Sequence, residues 1–309
     1  MDIRQLKIQA AERVAAARFD AKKLALLFTG VLVALSFLMT LVNFLLSKQI
    51  EGTGGLGGIG TRTILTAAQM LVLVFGTLVT PFWNLGYTRA ALDTVRRGDA
   101  EPRTLLEGFR LFLPALRLFL LQAALISAAF FVAMQAGTIL YMLTPLSEAA
   151  IGVIESLLAG GEAALADPAA IDQLIQVFWP MYLLIGIALL VTILPIIYRL
   201  RLVEFSLVDG EEKALKNLAM SNFRMHGKCF WMFRLDLSFW WYFLLQGLAA
   251  ALAYGDLLIN GGDVAYWVFY LLSAGAQLAI GWAFLPKVQA TYALVYEEII
   301  NAEENGQVT

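Results

Sequence analysis

The first residues whose types could do chemistry are a lone histidine and a lone cysteine, His226 and Cys229. Such a pair could contribute to a metal site or act as a nucleophile beside a base. A zinc site needs about four ligands, and a nucleophilic thiol needs an oriented base. With no second histidine or cysteine available, we interpret His226 as an interfacial residue in a turn at Gly227.

A glycine-rich run, Gly52 to Gly60, is the second candidate, because glycine loops can cradle phosphates. A phosphate loop ends in Lys-Ser or Lys-Thr and opens a helix, and this run has neither residue pair after it. We therefore predict a flexible hairpin loop. The sequence also contains no His-Glu-x-x-His or Gly-x-Ser-x-Gly motif, so we predict no catalytic residues, no metal, no cofactor and no enzymatic activity.

Amides are the remaining polar groups inside the apolar runs, and none of them is ionisable. Gln122 and Gln246 each follow a Leu-Leu pair, which makes them the candidates for a shared intramembrane polar site. Interhelical hydrogen bonding is the usual role of such amides, and a solute site is the alternative. The full set is Asn43, Gln69, Gln122, Gln135, Gln246 and Gln277.

These residues must be positioned by membrane helices. The chain is 60% hydrophobic and only 15% charged, and about 20 apolar residues suffice for a helix to cross a bilayer. We predict an all-α polytopic membrane protein, a single domain of residues 1–309 with six transmembrane helices arranged as three helical hairpins. The predicted spans are residues 24–47, 63–88, 115–143, 174–198, 237–257 and 264–286.

Charge predicts the orientation of these spans. Of the 22 Lys and Arg residues, all but Lys48 and Arg62 fall on one side of the predicted helices, whereas the opposite segments are acidic. The positive-inside rule places the basic side in the cytoplasm. Both termini are then cytoplasmic, including an amphipathic helix over residues 1–23 and a tail over residues 287–309.

The even-numbered spans each reach a proline near the inner interface, at Pro81, Pro195 and Pro286. Helix-compatible residues follow each proline and lead to acidic residues, so we expect a bend there rather than a stop. The middle hairpin carries an extracytoplasmic insertion, residues 146–172. We predict that its helices break at Gly160-Gly161 and restart near Asp167-Pro168.

Cytoplasmic amphipathic segments precede the odd-numbered spans. Ile3, Leu6 and Ala10 belong to the apolar stripe of the first, Leu105 and Phe109 to that of the second. In the third, Leu215, Leu218, Ala219 and Phe223 oppose a basic face. These segments could lie against anionic lipid or pack on one another as a cap. The lipid-headgroup candidates are Lys213, Lys216, Arg224 and Lys228.

The run from Lys213 to Leu244 carries a family resemblance through Gly227-Lys228, Leu237-Ser238-Phe239 and Trp241. With Gly86 through Gly98 and Pro286 followed by Val295-Tyr296-Glu297, it resembles the bacterial membrane family catalogued as domain of unknown function 975. Lys287 departs from that pattern, where an aromatic residue is expected. The resemblance implies a multi-pass protein of a bacterial plasma membrane, with no established activity and no catalytic residues.

Together these patterns favour a non-enzymatic membrane protein that acts as an interaction or organising component. Membrane lipids with anionic headgroups are its expected partners, and a net charge of −2 gives no basic excess for nucleic acid. Protein partners cannot be named from the sequence. The alternative is a transporter or channel for an uncharged or amphipathic, lipid-like solute, with Gln122 and Gln246 at a shared cavity.

Overall fold

The computed structural model describes residues 2–52, 59–165, 168–210, 214–259 and 262–305. All regular elements among these residues are helical, with no strand, which confirms the all-α prediction. The helices are α1 (Ile3–Ala16), α2 (Ala21–Gly52), α3 (Ile59–Arg97), α4 (Glu107–Arg110), α5 (Phe112–Met142), α6 (Leu146–Leu165), α7 (Pro168–Arg199), α8 (Val203–Val208), α9 (Ala214–Arg224), α10 (Cys229–Leu237), α11 (Trp240–Leu252), α12 (Asp256–Ile259) and α13 (Gly262–Glu304), with a 3-10 turn at Pro102–Leu106.

The chain is a multi-pass membrane protein by the length and apolarity of its helices. Among the described residues, five helical stretches can cross a bilayer, and a bent helix pair makes a sixth if it is counted as one span. The five stretches are Ala21–Ile50, Gly60–Arg97, Phe112–Met142, Asp172–Val208 and Gly262–Glu304. Several continue well past the predicted apolar runs, because a helix need not end where its lipid-facing part ends.

The predicted fifth span, residues 237–257, is not one continuous helix. Helix α10 ends at Leu237, α11 begins at Trp240, and the two are bent by 66°. Lys7 Nζ donates to the Ser238 carbonyl oxygen (2.8 Å), which a continuous helix would use as the acceptor for the Tyr242 amide. That amide donates instead to the Phe239 carbonyl oxygen (2.9 Å). The bend is thus stabilised by a residue near the other end of the chain.

Two of the three helices that contain the recurring proline continue well past it. Helix α3 continues past Pro81 to Arg97, and α13 continues past Pro286 to Glu304, as predicted. After Pro195, however, α7 ends at Arg199, and the short helix α8 resumes at Val203. The continued halves of α3 and α13 carry the helices beyond the apolar runs and into the charged part of the chain.

The insertion over residues 146–172 differs from its prediction. Helix α6 runs through Gly160 and Gly161 without a break, and α7 begins at Pro168. Asp167, the predicted cap, lies outside the described residues. A glycine in a helix costs only about 1 kcal/mol relative to alanine, so the surrounding alanines and leucines are enough to keep the helix intact.

The contacts divide the chain into two compact units. Unit 1 comprises Met1–Ala115, Leu202–Met220 and Phe230–Thr309, and unit 2 comprises Leu116–Arg201 and Ser221–Cys229. Within unit 2, the Tyr141 hydroxyl on α5 lies within hydrogen-bond distance of the carbonyl oxygens of Leu146 (3.2 Å) and Val177 (3.0 Å), which share its one proton. Gly137 lies so close to Ile185 on α7 that an added Cβ would overlap it. Helices α5, α6 and α7 are therefore held together near Tyr141.

Unit 1 is most densely buried at one end, which we call the basic end. It consists of the second halves of α3 and α13, α8, and the segments around α1 and α4 that pack on them. Trp83 donates from its indole to the Phe28 carbonyl oxygen (3.0 Å), and Phe28 stacks on Tyr87 (4.3 Å between centroids). The most buried apolar residues here are Leu85, Leu92, Leu105, Leu202, Val203 and Val295.

Helix α1 packs on α13, and its residues Leu6 and Ala10 are buried in that contact. Both residues belong to the apolar stripe predicted from the sequence. Of the two alternatives left open for this segment, packing as a cap on other helices therefore describes α1, because its stripe contacts protein rather than lipid.

The closest backbone approach in the basic end lies between α3 and the segment that follows it. A Cβ added at Gly86 would overlap the Leu105 carbonyl, and one added at Gly108 would overlap the Phe82 carbonyl. Both obstacles are backbone atoms, which cannot rotate away as a flexible side chain can. The two glycines therefore allow this segment to lie directly on α3.

We predict that Gly86→Ala lowers the thermal unfolding midpoint of the detergent-solubilised protein, because overpacking costs about 1–3 kcal/mol. Gly30→Ala is the matched control, since Gly30 lies in α2 with nothing within 4 Å of an added Cβ. The control should be neutral or slightly stabilising. Equal midpoints for both variants, measured by tryptophan fluorescence, would contradict the close packing of α3.

Candidate functional site

The four predicted headgroup residues do not share one exposed surface. Lys213 lies outside the described residues. Lys216 is exposed on α9 and Lys228 is half-buried, whereas Arg224 is only 7% exposed. The prediction that Arg224 contacts lipid headgroups is therefore corrected.

Helix α9 buries polar residues instead of its apolar stripe. Asn217 and Ser221 are fully buried, and Ser221 donates to the Arg199 carbonyl oxygen (2.8 Å). Leu215 and Phe223, which belong to the apolar stripe predicted from the sequence, are 69% and 57% exposed. Periodicity identifies two faces of a helix, but it does not say which face meets protein when lipid is also available to cover apolar side chains.

His226 and Cys229 lie in and just after the turn that follows α9, where Gly227 has a φ of +72°. His226 is exposed, and the Cys229 thiol donates to the Met225 carbonyl oxygen (3.4 Å). No group of three or more His, Cys, Asp or Glu side chains that could hold a metal ion occurs among the residues described. Most of the glycine-rich run, residues 53–58, falls outside the described part of the chain.

Gln122 and Gln246 are both half-buried, the first on α5 in unit 2 and the second on α11 in unit 1. Neither residue lines any of the cavities described below. Two groups of intramembrane polar side chains do come together within unit 1. Gln69 on α3 donates to the Ser47 hydroxyl on α2 (2.9 Å), and hydroxyls meet Gln277 on α13 in a cavity.

An ion-pair cluster joins three helices at the basic end. The Arg96 guanidinium on α3 binds both carboxylate oxygens of Asp209, which follows α8, with Nη2 donating to Oδ2 at 2.8 Å. It also donates to Glu297 Oε1 on α13 (2.6 Å). The Tyr296 hydroxyl donates to Asp209 Oδ2 (3.2 Å). Because bidentate arginine–carboxylate pairs are strong and directional, this cluster fixes α3, α8 and α13 together.

A second arginine on α3 reinforces the cluster about two helical turns earlier, on the same face of the helix. Arg89 donates to the Val208 carbonyl oxygen at the end of α8 (2.9 Å). Its Nε lies 3.4 Å from Asp93 and 3.7 Å from Glu107. These carboxylates neutralise arginines that tie helices together, so the arrangement serves to hold the fold rather than to transfer protons.

The environment of Asp209 sets the protonation of its carboxyl. Burial alone would raise the pKa of Asp209, but the hydrogen bonds and positive charge of Arg96, with further contributions from Tyr296 and Arg89, outweigh it and lower the pKa. The carboxylate is therefore charged at neutral pH and below, which keeps the ion pair with Arg96 intact.

A polar cavity of about 330 Å³ lies between α2, α11 and α13 within unit 1. Its wall is apolar apart from hydroxyl groups and one amide. The Ser36 and Tyr270 hydroxyls share a hydrogen bond (2.9 Å). Ser273 donates to the Ala249 carbonyl oxygen (2.7 Å), and Gln277 donates to Ser273 (3.1 Å). The polar lining residues are Ser36, Thr40, Tyr254, Tyr266, Tyr270, Ser273 and Gln277.

Sequence reasoning missed both the ion-pair cluster and the cavity, and only the cluster left a signal in the sequence. Acidic residues after each proline include Asp209 and Glu297, and their recurrence pointed to a shared partner such as Arg96. The predicted intramembrane polar residues were all amides. Ser36 and Tyr270 were not among them, because single hydroxyls are common in membrane helices. Only the packing of α2 against α13 brings them together.

Comparisons of the chain with protein-family models, with curated proteins and with solved structures each found no match. The resemblance to the domain-of-unknown-function family therefore stays a prediction, and the functional argument rests on the geometry alone.

We predict that Asp209→Asn destabilises the protein by about 1–3 kcal/mol, because the charged hydrogen bonds to Arg96 are lost. Glu101→Gln is the control, since the Arg103–Glu101 pair (2.5 Å) is solvent-exposed and such pairs contribute little. Thermal unfolding midpoints in detergent provide the measurement.

The stability difference should also depend on pH. A lowered pKa in the folded state means that the stabilisation is complete above the unfolded value of about 3.9 and is lost as the pH falls through the folded value. The midpoints of the natural protein and of Asp209→Asn should therefore converge on acidification below about pH 4. A constant difference down to pH 2 would contradict this account.

Proposed function

We propose that the protein is a non-enzymatic, multi-pass protein of a bacterial plasma membrane that acts as an interaction or organising component. In this proposal both termini and the basic end face the cytoplasm, and basic residues of α1 and of the start of α2 contact anionic lipid headgroups. The distribution of charge supports this orientation, because only Lys48 and Arg62 among the 22 basic residues fall on the opposite side of the spans.

The observation that carries the proposal is a pair of exposed lysines where the first membrane helix begins. Lys22 and Lys23 directly precede the apolar run of α2, and both are exposed. Lys22 Nζ lies 4.9 Å from the centroid of the Trp282 ring on α13, and that tryptophan is 46% exposed. Tryptophan and lysine together are typical of the headgroup level, where each basic residue contributes about 1 kcal/mol of attraction to anionic lipid.

A groove beside α1 carries two more basic groups at this end, together with two acidic ones. It is an open depression of about 850 Å³ lined by Arg4 and Lys7, by Asp2 and Glu12, by apolar residues of α1 and by Ser238. Lys7 also lies over the Phe239 ring (4.3 Å). Burial lowers the pKa of Lys7, and a nearby anionic group would offset that effect by favouring the charged form. Arg4 is exposed, so its side chain can contact a lipid headgroup.

The ion-pair cluster of Arg96, Asp209 and Glu297 supports the organising role. It makes the basic end a rigid platform, and rigid surfaces lose less conformational entropy when they bind a partner. Its carboxylates are bound to arginines, which is why we propose a binding role rather than catalysis.

The alternative function is a transporter or channel for an uncharged or amphipathic solute. Its predicted polar residues, Gln122 and Gln246, belong to different units and line none of the cavities described above. The observation in its favour is instead the cavity at Ser36 and Tyr270. A single cavity supports binding more directly than passage, so the organising role remains the leading proposal.

Arg4→Gln, Lys22→Gln and Lys23→Gln combined should lower the exchange constant for phosphatidylglycerol over phosphatidylcholine at the start of α2 about tenfold or more, at about 1 kcal/mol per charge. The measurement is lipid analysis after reconstitution in phosphatidylcholine bilayers containing one-fifth phosphatidylglycerol. Arg224 is left out of the set because it is buried.

The matched control removes the same number of charges at Arg13, Arg97 and Arg103, all of which are exposed. Arg97 follows Trp83 by about 21 Å of helix, which is more than a Debye length at physiological salt. Lipid enrichment should therefore change little in the control. Equal losses in both variants would indicate a non-specific charge effect, and no loss in either would exclude the proposed headgroup contact.

A further inference from the structure

We propose that the cavity between α2, α11 and α13 binds the uncharged polar end of a neutral glycerolipid of the diacylglycerol class, taken up from within the bilayer. This site is separate from the basic groups at the start of α2 and does not depend on the anionic-lipid proposal. It rests on the position, polarity and surroundings of the cavity in unit 1.

The cavity reaches from the middle of the membrane helices that form it, at Ser36 and Ser273, towards the end away from the basic end, at Tyr254 and Tyr266. Ser36 is midway along the charge-free run Leu24–Ser47, and Ser273 is close to the middle of Val264–Pro286. At 1.5 Å per residue, Ser36 lies about 18 Å along the helix from Leu24. Polar groups at this depth have no bulk water and must find partners in protein or in a bound molecule.

Tight contacts between α2 and α13 border the cavity on both sides along the helices. Towards the basic end, an added Cβ at Gly281 would overlap Thr29. Towards the other end, Phe44 packs edge-to-face on Trp267 (5.4 Å), and Lys48 pairs with Asp263 (3.1 Å). The space between is therefore a defined feature of the helix packing rather than a general separation of the two helices.

The lining groups can make more hydrogen bonds than they make with one another. Each hydroxyl donates once and accepts twice, so the single bond between Ser36 and Tyr270 leaves one proton of that pair and several acceptor positions. Gln277 uses one amide proton on Ser273, and its second proton and its carbonyl oxygen add to this capacity. A ligand with hydroxyl and ester groups matches such a mixture of donors and acceptors.

The absence of charge restricts the ligand class. The residues that line the cavity include no Asp, Glu, Lys, Arg or His. A phosphate at this depth would find no counter-charge, and a charged group in the bilayer centre costs several kcal/mol. A volume of about 330 Å³ is at the lower end of the range for small-molecule pockets, which suits a glycerol unit with its ester groups.

Exposed residues around the cavity indicate that the ligand arrives from lipid. Phe37 and Leu38 beside Ser36 are 36% and 56% exposed, and Tyr254 at the cavity edge is 68% exposed. Helix α11 contributes 13 residues, about 20 Å, which is less than the roughly 30 Å of the bilayer core. Helix α11 therefore covers the cavity along only part of the bilayer thickness. A lipid with its tails in the bilayer can place its polar end in the cavity past this helix.

The test is photo-crosslinking in phosphatidylcholine nanodiscs that contain a trace of diacylglycerol with a diazirine near its ester groups. We expect labelled peptides from α2 and α13 around Ser36 and Tyr270. Phosphatidic acid with the same tails and diazirine should label these peptides at least fivefold less. Equal labelling by both probes would overturn the proposal, because it would show that only acyl chains occupy the space.

Two variants, each with a matched control, distinguish loss of the binding site from a general effect on folding. Ala274→Phe fills the cavity, since Ala274 lines it, whereas Gly275→Phe adds the same bulk where nothing lies within 4 Å of an added Cβ. Ser36→Ala with Tyr270→Phe removes the central hydroxyls, and Thr138→Val on α5 removes a hydroxyl elsewhere. Labelling should fall at least fivefold in Ala274→Phe and in the double variant and stay unchanged in both controls.

Unchanged labelling in a well-folded Ala274→Phe or in the double variant would contradict the site. Excess free glycerol in the aqueous phase should not compete with the probe. Competition by glycerol would show access from water and would contradict uptake from the bilayer. The outcomes with the variants and with glycerol involve no anionic lipid, so they are independent of the lysines at the start of α2.

Discussion

The low polarity of the bilayer core is the constraint on which the rest of this fold depends. A charged group buried there without a partner costs several kcal/mol, so the ion pairs described in unit 1 lie outside the apolar runs, and most of them gather where α3 and α13 extend beyond these runs. Arg96, Asp209 and Glu297 form their cluster in that region. Because the cluster joins α3, α8 and α13, it also determines where α1 and the segment around α4 can pack.

The same constraint explains the chemistry available within the membrane part. The polar side chains between α2, α11 and α13 are hydroxyls and one amide, which can enter an apolar medium when hydrogen-bonded. Ser36 and Tyr270 meet that condition by bonding to each other. The molecule therefore combines a charged, densely packed end with an uncharged, more open membrane part, and each suits a different kind of lipid contact.

Most of the helical architecture could be predicted from the sequence, because long apolar runs report the medium in which a helix resides. Continuation through Pro81 and Pro286 was also accessible, since helix-compatible residues follow both. The bend between α10 and α11 could not be predicted from the sequence, because it involves Lys7, which is 231 residues away from Ser238 in the chain. Local patterns carry no information about such a distant donor.

The candidate sites were harder to predict for the same reason. Arg224 was expected to face lipid, yet α9 buries its polar face, a choice that depends on neighbouring helices rather than on its own periodicity. The cavity needed the packing of α2 on α13, which brings together Ser36 and Tyr270 from distant parts of the chain. Residue type suggested what chemistry was possible, and tertiary packing decided which groups meet.

The central claim is that a bilayer separates the acidic segments from the basic end, and cysteine accessibility tests it most directly. In a Cys229→Ser background, a membrane-impermeant maleimide should label Glu155→Cys on intact spheroplasts. It should label Arg103→Cys only after permeabilisation, since both positions are exposed on the protein surface. Labelling of both cysteines from the same side of the membrane would contradict the account.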